Sequence, residues 1–233
     1  MKNVKATALN LAIGATLAAG TIAHAIPTIH ITDGITTVTV QDNLGVDGSA
    51  LAGFVSYNAP AGTFAGWSVI LSAGVTKPLV GSASAPQLDL NWNVVRSGPG
   101  SGNLRIYFSE NGFNLAGNTP VIVGAGGTLG TTAANTLNVS SYYDSGNAVL
   151  QPTTLLTSHN FSGPGAFAGN DAANAPADPA VAFTVKVDVT MAAGEVTSGD
   201  VHLYTAVPEG GSMVTFLGTA LLALGFYASR RKA

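Results

Sequence analysis

FTVKVDVTM, residues 183–191, decides the fold class. Phe183, Val185, Val187, Val189 and Met191 fall on one side of a period of two, and Thr184, Lys186, Asp188 and Thr190 on the other. That pattern is a half-buried β-strand, because successive side chains of an extended chain point to opposite faces. A second stretch repeats it: in QLDLNWNV, residues 87–94, Leu88, Leu90, Trp92 and Val94 are apolar and the residues between them polar. After SGPGSG, residues 97–102, the alternation resumes at Leu104, Ile106 and Phe108. The two runs and their Gly-, Pro- and Ser-rich joint predict a β-hairpin or neighbouring strands.

Outward from these, weaker strand patterns cover residues 35–40, 50–57, 66–73, 136–142, 153–159 and 199–206. Asp33-Gly34, Asp47-Gly48, Asn111-Gly112 and Ser145-Gly146-Asn147 supply turn chemistry, and residues 163–180 read as a long surface loop. No stretch of the middle has the 3.6-residue period of an amphipathic helix. The expected fold is all-β: a single antiparallel β-sandwich, with immunoglobulin-like and jelly-roll topologies both open.

The two ends differ from this body. Lys2 and Lys5 precede an uncharged run from Ala6 to Ile22, followed by Ala23-His24-Ala25. Basic start, apolar middle and small-x-small site make residues 1–25 a secretory signal peptide, cleaved by signal peptidase after Ala23 and Ala25 frame the site. Residues 213–229 carry no charge and end at Arg230, Arg231 and Lys232. A helix of that length spans about 26 Å, just enough for a hydrocarbon core of about 30 Å, and the basic residues act as a stop-transfer brake. Residues 26–206 are then the extracytoplasmic domain, 207–212 a short motif, 213–229 a transmembrane helix and 230–233 a basic tail.

The domain holds four basic residues, Lys77, Arg96, Arg105 and Lys186, against eleven acidic ones, a net charge of −7. That balance excludes a nucleic-acid partner and a polybasic lipid contact. The chain has no cysteine, so burial and backbone ladders hold the fold without disulfides, and thiol chemistry is absent. His30, His159 and His202 lack ligand spacing, and no G-x-S-x-G elbow or nameable acid pair points to catalysis. The protein is accordingly expected to be non-enzymatic and without a cofactor. Asp42, Asn43 and Asp47 form an oxygen-rich loop that Ca²⁺ accepts, although tight turns use the same residues and are the preferred reading. Tyr142 and Tyr143, or Trp67 if exposed, are candidates for stacking on a sugar ring; core and strand-end positions are the plainer assignment.

Val207-Pro208-Glu209-Gly210-Gly211-Ser212, the apolar run and the basic end together resemble a PEP-CTERM sorting signal, in its VPDSG-like variant. The resemblance covers residues 207–233, departs from the PEP form at the third position, and implies recognition and cleavage near the motif by an exosortase. It also implies a Gram-negative source and delivery to the cell envelope, cell surface or an exopolysaccharide matrix. Pro208 and the Gly210-Gly211 pair suit an extended, protease-accessible backbone. Together these readings predict an exported envelope or matrix protein, with exopolysaccharide binding as the alternative function and a secreted hydrolase third.

Overall fold

The computed structural model describes residues 26–206. The expected signal peptide with Ala23 and Ala25, the motif Val207–Ser212, the apolar run and the basic tail lie outside the described residues. No helix among the described residues is long and apolar enough to cross a membrane.

Twelve strands form two antiparallel sheets: β1 (Thr28–Thr32), β2 (Thr37–Gln41), β3 (Phe54–Tyr57), β4 (Trp67–Val75), β5 (Gln87–Arg96), β6 (Gly102–Leu115), β7 (Thr119–Leu129), β8 (Thr136–Asp144), β9 (Thr154–Ser162), β10 (Ala166–Ala175), β11 (Asp178–Met191) and β12 (Val196–Thr205). Sheet A has the order β2-β1-β6-β11-β8-β9 and sheet B the order β10-β7-β12-β5-β4-β3. The pairs β5/β12, β6/β11, β7/β10 and β8/β9 nest in the chain. That nesting of eight strands over two sheets is a jelly roll, which decides between the two topologies left open above. β1 and β2 extend sheet A beyond β6, and β3 and β4 extend sheet B beyond β5.

The alternating runs supply the core as their period requires. Phe183, Val185, Val187, Val189 and Met191 of β11 are fully buried, facing Leu88, Leu90, Trp92 and Val94 of β5 within one apolar cluster. Burial of each large side chain is worth about 1.5–3 kcal/mol, so a cluster of this size can hold a cysteine-free fold.

Three expectations need correction. Residues 163–180 are not a loop: they contain β10 and the start of β11, and β10 pairs with β7 over ten residues from Ala166↔Thr128 to Ala175↔Thr119. The two runs around SGPGSG are not a hairpin or neighbours, since β5 belongs to sheet B and β6 to sheet A. The joint crosses the end of the sandwich, where Arg96 gathers it by donating to the carbonyls of Ala65 (2.9 Å), Gly66 (2.9 Å) and Pro99 (3.1 Å). Asn111-Gly112 does not end a strand either. β6 runs through it as a bulge: pairing with β11 steps from Phe183↔Glu110 to Val181↔Phe113, one extra residue on β6, with Gly112 at φ +71°. β1 and β7 are strands that the residue pattern did not reveal.

Candidate functional site

Cross-strand register shows what the outer face of sheet B presents. One row reads Ala168 (β10), Gly126 (β7), Asp200 (β12), Asn91 (β5) and Ala73 (β4); the next reads Asn170, Gly124, His202, Asp89 and Val75. Val201 and Leu203, fully buried between these positions, place Asp200, His202 and Tyr204 outward. The two outward glycines on β7 remove the side chains that would otherwise cover the sheet. An open depression of about 570 Å³ results, lined by Gly124, Gly126, Ala168, Asn170, Asp200 and His202. A Cβ on Gly124 would meet nothing within 4 Å, so its floor is bare backbone.

Polar and aromatic groups wall this trough. Gln87 Nε2 donates to His202 Nε2 (2.8 Å). Asn91 Nδ2 donates to Asp89 Oδ1 (2.7 Å), and Asp200 Oδ1 comes within 3.9 Å of where a Gly126 Cβ would stand. Burial holds the Asp89 carboxyl above the usual carboxylate range; His202 and the Asn91 amide oppose this, while the Asp200 charge reinforces it. Tyr204, 37% exposed, lies tilted against His202 with ring centroids 5.1 Å apart. The arrangement offers alternating acceptors and donors beside an exposed ring, open along its length.

The aromatic candidates do not converge. Trp67, 4% exposed, lies beneath the Arg96 guanidinium 5.4 Å from its ring. Tyr143, 5% exposed, points into the core against Phe183, and its hydroxyl donates to Asp178 (2.8 Å). Burial and that bond push the phenol up to about 12. Tyr142 faces outward on the other side of β8. Trp67 and Tyr143 are therefore core residues, because adjacent or inward strand positions cannot form one exposed platform.

The Asp42, Asn43 and Asp47 loop is occupied by its own backbone. Asp47 accepts from the amides of Asn43 (2.9 Å), Ser49 (3.1 Å) and Ser56 (2.9 Å), and Asp42 from Gly53 (2.9 Å). Asn43 itself sits at φ +57°. Those bonds build a turn, and among the described residues no group of three or more His, Asp or Glu side chains is arranged to hold a metal.

A second depression, about 460 Å³, lies on the outer face of sheet A between β8, β9 and β11. Its polar atoms are already joined to one another: Asn138 Nδ2 donates to Asn160 Oδ1 (2.8 Å) and Ser158 Oγ (2.9 Å), and Ser140 Oγ to Asn138 Oδ1 (2.5 Å).

Asp200, Tyr204, Gly124, Gly126 and Asn170 belong to no motif in the sequence, and His202 lacks ligand spacing there. The signal available was the DVHLYT alternation and the glycine run of residues 124–127.

No family model matches the chain, and no curated protein matches it in sequence. Among solved structures it is similar to the TmCBM61 module determined with β-1,4-galactotriose, at 11% identity over 60% of this chain and 88% of that one, TM-score 0.32. It is also similar to the K3 cleaved adhesin domain of Lys-gingipain from Porphyromonas gingivalis, at 9% identity over 70% and 98%, TM-score 0.34. A third is the C-terminal CBM6 of LamC from Zobellia galactanivorans, at 15% identity over 48% and 78%, TM-score 0.26. These are likenesses of β-sandwich fold alone.

Proposed function

We propose that this protein is an exported binding module that holds a polysaccharide along the outer face of sheet B, acting by contact rather than by chemistry. The observation that carries the reading is the glycine-floored trough crossing β10, β7 and β12, bordered by Asn170, Asp200 and His202, with the Tyr204 ring against His202. A polysaccharide needs a long open site, because the polymer must pass through it. It also needs paired donors and acceptors for hydroxyls and a ring to stack on. The jelly roll supplies all three on one rigid sheet.

The test is affinity electrophoresis of the full chain through gels containing polysaccharide from the producing cell. Retardation is expected, and Gly124→Leu should abolish it while leaving thermal stability near that of the parent, since a side chain there fills the trough without touching the core. Tyr204→Ala should weaken it about tenfold, the loss of about 1.4 kcal/mol of stacking. Retardation that persists unchanged in Gly124→Leu would place the ligand elsewhere.

Delivery is a separate part of the proposal. The motif Val207–Ser212 followed by an apolar run and Arg230, Arg231 and Lys232 supports sorting to the cell surface or matrix by an exosortase-type system. Mass spectrometry of the mature protein should find a C-terminus within residues 207–212. A chain ending at Ala233 would rule out processing.

A further inference from the structure

We infer that the trough on sheet B takes a polysaccharide bearing protonated amino sugars, in preference to neutral or uronate-bearing polymers; the inference rests on the polysaccharide-binding reading above. The six strands of sheet B contain one Lys or Arg, Arg96, and it is buried at the end of β5, committed to the carbonyls of the crossing loop. Lys77 is likewise committed, at 3.1 Å from Glu110, and Arg105 and Lys186 stand on sheet A. Among the described residues, the carboxylates of this face are thus Asp200 and Asp89, on neighbouring strands and one register step apart, with the His202 imidazole across from Asp89.

Among the described residues, neither carboxylate has a cationic partner within salt-bridge distance. Asp89 is half-buried, and Asn91 is the side chain that donates to it. A carboxylate partly withdrawn from water and left without a counter-ion is stabilised most by a ligand that brings positive charge and N–H donors together. An ammonium on a sugar ring does both, and the ring hydroxyls fit the flanking Asn170, Asn91 and His202. A uronate or sulfate at the same place would meet only like charge.

The experiment compares three polymers on the full chain by titration calorimetry at mildly acidic pH, where the sugar amines are protonated: a β-1,4-linked glucosamine oligomer, its fully N-acetylated counterpart, and polygalacturonate. The first two share a backbone and differ at the amine. The amine form should bind at least tenfold more tightly than the acetylated one, and polygalacturonate should not bind. Asp200→Asn and Asp89→Asn should each cut binding of the amine form by fivefold or more while leaving the acetylated form within twofold. Equal or tighter binding of the acetylated oligomer overturns the inference and leaves the binding reading standing. Binding of none of the three, with Gly124→Leu also without effect on retardation by the cell's own polysaccharide, overturns both.

Discussion

Asp188, on the outer face of sheet A, sits between Arg105 (3.2 Å) and Lys186 (3.4 Å) and accepts from Asn103 Nδ2 (2.5 Å). Asp200, on the outer face of sheet B, has glycine on one flanking strand and an asparagine on the other. Both residues reach the surface by the alternation of a strand, Asp188 between the fully buried Val187 and Val189, and Asp200 between Gly199 and the fully buried Val201. One face pairs its acid with cations and joins its amides; the other bonds Asn91 to Asp89 and Gln87 to His202 but leaves Asp200, Asn170 and Tyr204 beside bare backbone. Polar groups that already satisfy one another add rigidity to a sheet, whereas groups left open keep their capacity for a ligand.

The largest effect expected from breaking this contrast comes from a closely packed glycine of sheet B. Gly199 of β12 lies opposite Trp92, and a Cβ there would stand 2.6 Å from the Gly126 carbonyl oxygen and 2.6 Å from the Trp92 ring. Gly199→Val must displace backbone or indole, and should cost about 3 kcal/mol in chemical denaturation. Thr190→Val, at an outward position of β11 in sheet A, should change stability by no more than about 0.5 kcal/mol. Comparable losses from both would mean that sheet B has no special dependence on close backbone packing.

The same residues explain what the sequence could and could not reveal. β5 and β11 were legible because bulky apolar and polar side chains alternate without interruption. β10 was not: AFAGNDAANA offers little contrast between its faces, and its partner β7 carries Gly124, Gly126 and Gly127 where the pairing is made. Those two strands recognise each other mainly through the backbone ladder, which composition does not display. Tyr142 and Tyr143 drew attention as an adjacent pair, yet adjacency in a strand sends one ring out and the other into the core. The trough is a set of missing side chains, and only cross-strand register brings Gly124 and Gly126 beside Asp200 and His202. Proximity of that kind depends on residues far apart in the chain.

The smallest effect sharpens the comparison from the other side. Asp188 is partly shielded, its side chain 22% exposed, while Arg105 is 47% exposed, so solvent screens much of their attraction. Removing the charge with Asp188→Asn leaves an amide oxygen able to accept from Asn103, and the ion pairs lost are worth about 0.2–1 kcal/mol each at exposed sites. Stability measured by denaturation should therefore fall by about 1 kcal/mol at low salt and by less at 1 M salt, where the screening length shrinks to about 3 Å. Polysaccharide affinity should not change. Retardation reduced as strongly by Asp188→Asn as by Asp200→Asn would show that the self-satisfied face also engages ligand, because a charge already paired within its own sheet should have nothing left to offer one.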